Sequence, residues 1–346
     1  MIYSKNFLLK PTRTLFKKDD ITIVITFSRL WCVDLFFKKF YKIKFNKTFN
    51  PHRFHLLIYD NTESIDLQRS LLEHLAPINS KFQSITYYKS YRRTGDLRTG
   101  EIQTDVMRSK LPFIFAMHLD FVQLIKTDKF VLLEDDTLMP DNCVIKLLTI
   151  LSKNKRCGVA TAIATGRSPY RTTKTRLGVH YIKRRGDFIY TRYTPLPMQK
   201  GIVEVDACGW YCCASYTKLW KDGFKGMKKY FKKIPRFALD NFHTNNIKRK
   251  GFKILADFSL RCEHMNLSGG RVLYWTIDDA MPMLDEWLPK WNNYAQGVIL
   301  TNLHNSTIKR IFKNYARAVR ELSGVSCNSK ISGRKKIILK SHNFIK

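Results

Sequence analysis

Three consecutive carboxylates are the residues of this sequence with the most evident chemical use. Glu134, Asp135 and Asp136 directly follow the apolar run 130–133, which predicts a short strand buried on both faces. Open α/β sheets place their ligand crevice at the carboxyl ends of such strands. Alternating residues of an extended chain point to one side, so Glu134 and Asp136 offer paired oxygen ligands that suit Mg²⁺ or Mn²⁺ carrying substrate phosphates. The alternative is a solvated acidic turn after a strand.

The chain around these acids repeats a strand, a polar turn and a helix. Apolar or β-branched runs predict strands at 21–26, 55–60, 84–88, 130–133, 158–163 and 252–255. Apolar spacing and helix-end signals predict helices at 30–41, 64–75, 104–125, 142–152, 237–251 and 307–322. This alternation favours an α/β fold with a mostly parallel sheet, flanked by helices and joined by right-handed crossovers.

The charge of the chain indicates the partners it favours. Its 346 residues include 61 lysines and arginines against 28 acids, a formal net charge of +33. A field this positive favours polyanions: nucleic acid, an anionic membrane surface or acidic glycans.

No apolar run approaches the roughly 18 residues of a membrane helix, and the N-terminus lacks a secretory signal pattern. None of the eight cysteines forms a C-x-x-C pair. We therefore expect a cytoplasmic protein without a transmembrane segment.

Five short motifs occur in a particular order along this chain. They are Thr26-Phe-Ser-Arg29 and Asp60-Asn-x-x-Ser64 after the first two strands, Glu134-Asp-Asp136, Asp240 eleven residues before Gly251, and His264 thirteen residues after it. This order resembles nucleotide-sugar glycosyltransferases of the GT-A fold, family 2 type, over about residues 20–265. That family commonly carries Glu-Asp at the start of the helix that Gly251 would end here. This chain has Leu239-Asp240 instead, so only the second acid is kept.

The resemblance implies a donor site that binds UDP- or another NDP-sugar together with Mn²⁺ or Mg²⁺. Asp136, helped by Glu134 or Asp135 in the family's DXD motif, would hold the cation, with His264 as a further ligand. The residues that would line the nucleotide sugar are Thr26, Ser28, Arg29, Asp60 and Asp135. Two alternatives stay open: His264 as a core histidine beside Cys262, and Arg29 as a surface charge.

Transfer of the sugar with inversion requires a base that deprotonates the acceptor hydroxyl on the face opposite the diphosphate. Asp240 is the candidate, although an aspartate at a helix start also acts as an N-cap. Asp206, Gly209 and Trp210 are expected on the acceptor side, where Trp210 could stack on a sugar or base. The alternatives are a turn-forming Asp206 and a core Trp210.

The segment 165–200 indicates the class of acceptor, because it holds nine lysines and arginines, including Arg184 and Arg185, against one acid, interleaved with aromatics. Basic residues that follow phosphates and aromatics that stack bases are the requirements of a nucleic-acid groove. The favoured acceptor is a hydroxymethylated pyrimidine of DNA, flipped out of the stack, as in viral DNA modification. The alternative is a surface glycan or lipid-linked sugar, with the basic face on an anionic membrane.

Two further function classes were weighed against a hexosyltransferase-type enzyme. A non-catalytic, basic nucleic-acid-binding protein on the same scaffold would be free to lose the acids and His264, yet all are present. A phosphoryl transferase would be expected to carry a G-x-x-x-x-G-K-[ST] loop, and the sequence has none.

The expected domains are an N-terminal extension (1–19), a catalytic domain (20–268) with nucleotide-sugar (20–140) and acceptor (141–268) halves, and a helical C-terminal extension with a basic tail (269–346).

Overall fold

The computed structural model describes ten stretches of the chain, namely residues 7–8, 16–17, 19–61, 64–90, 117–164, 177–184, 190–193, 200–225, 239–268 and 271–275. Several sequence predictions lie outside these residues. They concern Arg185, most of the basic segment 165–200, the helix 307–322 and the basic tail. Arg184 is described as a strand position only.

Fourteen strands and six α-helices are present in the described residues. The strands are β1 Phe7–Leu8, β2 Ile21–Phe27, β3 Phe54–Asp60, β4 Ser84–Lys89, β5 Lys129–Glu134, β6 Thr137–Leu138, β7 Cys157–Ala164, β8 Val179–Arg184, β9 Tyr190–Tyr193, β10 Ile202–Val205, β11 Ala207–Cys208, β12 Cys212–Tyr216, β13 Lys253–Ser268 and β14 Arg271–Trp275. The helices are α1 Val33–Phe40, α2 Ile65–Leu75, α3 117–124, α4 Cys143–Lys153, α5 Thr217–Gly223 and α6 Leu239–Arg249. A strand lies at each position that an apolar run predicts.

The main sheet has the strand order β1-β4-β3-β2-β5-β12-β7-β13-β10, and β8, β9 and β11 form a second, small sheet. Strands β2, β3, β4, β5, β7 and β13 run in one direction, while β1, β12 and β10 run in the other. The predicted fold class, α/β with a mostly parallel sheet flanked by helices, is confirmed. Strand β12 lies antiparallel between β5 and β7, a position that the local sequence pattern does not predict.

The side chains of the central strands alternate between two hydrophobic cores, one on each face of the sheet. In β5, Val131 and Leu133 join the core under α1, α2 and α4, whereas Phe130 and Leu132 join the core under α3, α5 and α6. This alternation follows from the two-residue period of a strand. A strand with both faces covered must be apolar throughout, which is why these strands read as continuous apolar runs.

Candidate active site

The polar ends of β2, β3 and β5 meet at the carboxyl edge of the sheet, because the three strands are parallel and in register. Thr26 pairs with Glu134 on one side, and Phe27 pairs with Asp60 on the other. The residues after each strand therefore share one edge, although more than a hundred positions separate Ser28 from Asp135. Thr26, Ser28 and Arg29 are all buried there.

Asp135 binds the turn after β2 with both of its carboxylate oxygens. Its Oδ2 accepts a hydrogen bond from the backbone N–H of Ser28 at 2.7 Å, and its Oδ1 accepts one from Arg29 Nη1. The side chain of Asp135 is 2% exposed. The contact with the Ser28 backbone explains how the residue that follows β5 holds the turn that the sequence predicts to line the nucleotide.

Asp136 lies between Arg29 and His264. Its Oδ2 is 3.3 Å from Arg29 Nη2 and 3.4 Å from His264 Nε2. The position of His264 follows from backbone pairing, since the N–H of Met265 donates to the Asp136 carbonyl at 2.8 Å and Thr137 pairs with His264 between β6 and β13. Residues 128 positions apart in the sequence are thus brought into contact.

The guanidinium of Arg29 is a permanent positive charge in this site. Burial alone lowers the pKa of Arg29, but Asp135 and Asp136 raise it by more, so the net pKa lies above its ordinary value. Within the described residues, Nε of Arg29 has no hydrogen-bond partner. Nη1 and Nη2 contact the two aspartates, which leaves Nε as a donor for a ligand.

The donor atoms at Asp136 fit a substrate-carried divalent cation better than a cage made by the protein alone. Mg²⁺ and Mn²⁺ take ligands at about 2.1 Å, so adjacent ligand atoms lie about 3 Å apart. Asp136 Oδ2 and His264 Nε2, 3.4 Å apart, can occupy two such positions. No group of three or more His, Cys, Asp or Glu in the described part of the chain could hold an ion by itself. The remaining ligands would be substrate phosphates and water.

Asp60, the predicted contact for the nucleotide base, is fully buried and bound within the protein. Its Oδ2 accepts hydrogen bonds from Tyr87 Oη at 2.5 Å and Lys89 Nζ at 2.6 Å. Tyr87 and Lys89 were missed in the sequence analysis. The available signal was their period of two at the end of the third strand, which places both side chains on one face beside Asp60.

Asp240 lies at the start of α6, as predicted, and close to the connection between β11 and β12. Its Oδ1 accepts the backbone N–H of Asn241 at 2.8 Å. Its Oδ2 would be 3.2 Å from a Cβ placed on Gly209. Two residues after Gly209, the Tyr211 carbonyl accepts the N–H of Glu134 at 2.9 Å. The Asp240 carboxylate is therefore close to the connection whose backbone is hydrogen-bonded to the last residue of β5.

The other residues expected on the acceptor side have structural contacts. Trp210 is 3% exposed and packs against His118, with ring centroids 3.7 Å apart, so it occupies the core position that the sequence left as the alternative. Asp206 accepts the N–H of Ile182 at 2.7 Å and pairs with Lys248 at 2.7 Å. Their contact with an acceptor stays a prediction.

No protein-family model matches this chain, and no curated protein matches it. Among solved structures, one similar chain is GalNAc-T7 with UDP, GalNAc and Mn²⁺, at 12% identity and a TM-score of 0.46. The match covers 87% of this chain and 57% of that chain, so this chain spans little more than half of that protein's length.

Two further similar structures are known. The mannosyltransferase PcManGT from Pyrobaculum calidifontis, in complex with GDP-Man and Mn²⁺, has 9% identity and a TM-score of 0.40, covering 92% of this chain and 75% of that one. The protein A197 from STIV has 12% identity and a TM-score of 0.33, covering 74% and 93%. Scores at this level describe a distant likeness of shape. They say nothing about the donor, the metal or the acceptor of this chain.

No helix in the described ranges has the length and the hydropathy that crossing a bilayer requires.

Proposed function

We propose that this chain is a metal-dependent glycosyltransferase of the GT-A type that transfers a hexose from a nucleotide sugar to an acceptor hydroxyl. One observation carries this proposal. Arg29, Asp136 and His264, which come from three separate parts of the sequence, meet on a single carboxylate oxygen at the carboxyl edge of the sheet. Such an edge is where open α/β sheets bind their ligands.

The donor is UDP- or another NDP-sugar, and its diphosphate leaves during the reaction. Asp136 and His264 would hold Mn²⁺ or Mg²⁺, which supplies Lewis-acid stabilisation of the charge that develops on the diphosphate. Arg29 contributes a second positive charge and a fork of donors that matches phosphate oxygens. Asp60 and Lys89 form an ion pair at the end of the neighbouring strands, and we propose this pair as the contact for the base.

Asp240 is proposed as the base that removes the proton from the acceptor hydroxyl, so that the hydroxyl oxygen attacks the anomeric carbon with inversion. Its carboxylate lies in the first turn of α6, and its Oδ2 is close to Gly209, where the Tyr211 ring leaves no space for a Cβ. The Asn241 N–H donates to Oδ1 of this carboxylate and so fixes its orientation.

We infer the class of acceptor from the net positive charge of the chain. With a net charge of +33 and a basic, aromatic-rich segment at 165–200, the chain is suited to a polyanion. We propose a hydroxymethylated pyrimidine of DNA as the acceptor, with the chain as a family 2-type enzyme of viral DNA modification that acts in the host cytoplasm. A glycan or lipid-linked acceptor on an anionic membrane would use the same charge.

One assay tests the whole proposal. The protein is incubated with Mn²⁺ and a panel of UDP- and GDP-sugars, and release of nucleoside diphosphate is measured with hydroxymethylated duplex DNA, unmodified DNA, or glycan and lipid acceptors. Sugar on hydroxymethylated DNA alone supports the DNA acceptor. Sugar on a glycan or lipid alone keeps the glycosyltransferase and rejects DNA. Absence of both hydrolysis and transfer over the panel rejects the enzyme.

A further inference from the structure

Arg29 occupies the position that a cation on Asp136 would compete for. One guanidinium contacts both aspartates after β5, and Nη2 lies 3.3 Å from the same Asp136 oxygen that His264 approaches. A divalent cation bound to that oxygen would sit next to the guanidinium. Arginine does not release its proton, so the repulsion between the two positive charges is present at every working pH.

The site also shows what would draw Arg29 away from Asp136. Nε of Arg29 is a buried donor without a hydrogen-bond partner in the described part of the chain. A guanidinium offers two parallel donors along its Nε edge, and this fork matches the oxygens of a phosphate. A diphosphate at the end of β2 can therefore bind the side of Arg29 that the aspartates leave unused.

We infer that Arg29 acts as an internal cation that makes metal binding depend on the nucleotide. This inference rests on the proposed function. In the metal-free protein Arg29 pairs with both Asp135 and Asp136. When a nucleoside diphosphate binds, its phosphate oxygens accept hydrogen bonds from Arg29 and offset its positive charge. This lowers the repulsion between Arg29 and a divalent cation at Asp136 Oδ2, so the cation binds together with the nucleotide. Linkage requires the reverse as well, since each ligand raises the affinity of the other by the same factor.

Isothermal titration calorimetry with Mn²⁺, with and without saturating UDP or GDP, tests the inference without any turnover. For the unaltered chain we expect the nucleotide to tighten Mn²⁺ binding about 5–150-fold, the usual range of coupling between two sites. Arg29→Gln removes the competing charge. We expect Mn²⁺ alone to bind this variant about 10-fold or more tightly than the unaltered chain. The coupling should fall by about the same factor, because only the direct contact of the cation with the phosphates remains.

A matched control is Arg53→Gln, because Arg53 lies at the opposite edge of the sheet, where it donates to the Asp19 and Thr48 carbonyls. Its coupling should equal that of the unaltered chain. Arg29→Gln removes a positive charge beside two buried carboxylates, so the double variant Arg29→Gln with Asp135→Asn is measured beside it. Arg29 no longer competes at Asp136 in this variant, and the coupling should be reduced as in Arg29→Gln.

The outcomes separate the two proposals. If the unaltered chain couples Mn²⁺ and nucleotide but Arg29→Gln changes neither the Mn²⁺ affinity nor the coupling, Arg29 is a structural ion pair and the inference is wrong, while the proposed function stands. If the folded double variant retains full coupling, the inference is wrong as well. If the unaltered chain binds neither probe, the proposed function fails and the inference fails with it.

Discussion

At the scale of single residues, Asp136 is the carboxylate that the site depends on. It is fully buried, and its position is held on both sides, by Arg29 across the sheet and by the Met265 N–H on β13. Burial of a carboxylate is costly unless cations or hydrogen bonds compensate it. We therefore infer that the buried charge of Asp136 at the sheet edge serves the function of the site.

Asp136→Asn should abolish both sugar transfer and sugar-nucleotide hydrolysis. The amide has nearly the same shape but loses the negative charge that binds the cation. Release of nucleoside diphosphate at saturating Mn²⁺ measures this, with EDTA-treated protein as the metal-free reference. Asp141→Asn, at an exposed aspartate five residues later, should be fully active. Normal turnover of Asp136→Asn together with indifference to EDTA would contradict the metal assignment.

Asp240→Asn should reduce kcat by about 10²–10⁴, the usual worth of a positioned base, while donor affinity stays nearly unchanged. The asparagine retains an oxygen for the Asn241 N–H, so the start of α6 is preserved. Asp66→Asn is the matched control, because Asp66 is the second residue of α2 as Asp240 is of α6. A variant that binds donor poorly yet turns over normally at saturation would make Asp240 a binding or capping residue.

At the scale of elements, the connection from β11 to β12 sets the distance between the base and the metal strand. Gly209 donates its N–H to the Gly178 carbonyl at 2.7 Å, and two residues further on the Tyr211 carbonyl accepts the N–H of Glu134. There is no space for a side chain at Gly209, since a Cβ there would lie 2.7 Å from the Tyr211 ring. The backbone of this segment therefore has little room to move relative to β5.

Gly209→Ala should lower kcat and also destabilise the fold by about 1–3 kcal/mol, the usual cost of overpacking. The added methyl must displace the Tyr211 ring and crowd Asp240. Gly158→Ala is the control, because its Cβ would meet Ile247, Leu219 and Phe252 at 2.8 Å, at the opposite edge of the sheet. Thermal unfolding should show both losses of stability, whereas only Gly209→Ala should lose turnover per folded molecule.

At the scale of the whole molecule, buried neutral histidines make the fold sensitive to acid. Burial lowers the pKa of His118 well below its ordinary value and that of His243 to about 3. His243 accepts from Trp210 Nε1 at 3.2 Å and faces the Trp220 carbonyl at 2.9 Å, which suits the neutral ring. The unfolded chain binds these protons below about pH 6.5, so stability is present above that pH and is lost as the pH falls.

Urea unfolding between pH 7.5 and 5 should show this loss, at about 1.4 kcal/mol per pH unit for each such histidine once the pH is below 6.5. His118→Phe should remove one histidine's share of the slope and keep the stacking on Trp210. His52→Gln, at an exposed histidine, should leave the slope unchanged. An unaltered slope in His118→Phe would mean that His118 does not stay neutral in the folded chain.

The net charge leads to a salt-dependent prediction for the acceptor. If the segment 165–200 contacts a phosphate backbone, the logarithm of DNA affinity should fall linearly with the logarithm of salt, by about 0.9 per phosphate neutralised. Replacing Arg184 and Arg185 by alanine should make this slope shallower by about one to two, with donor affinity unchanged. The control for charge alone is replacement of Lys153 and Lys155, two exposed lysines at the end of α4 and just beyond it. Equal effects of both pairs would indicate a diffuse basic surface.

The sequence by itself determined the fold class and where the main strands lie. Strands covered on both faces must be apolar throughout, so β2, β3, β5 and β7 are visible as local runs. The acids Glu134, Asp135 and Asp136 follow one of these runs directly. Their place at the carboxyl edge therefore needs no knowledge of the remaining chain.

Only the tertiary structure decided which residues meet at that edge. The antiparallel position of β12 between β5 and β7, the burial of Trp210 and the contact of Arg29 and His264 on Asp136 depend on pairing between distant segments. The energy of such pairing comes from packing across both faces of the sheet, and no local pattern encodes it. The same holds for Asp60, whose partners Tyr87 and Lys89 lie on the adjacent strand.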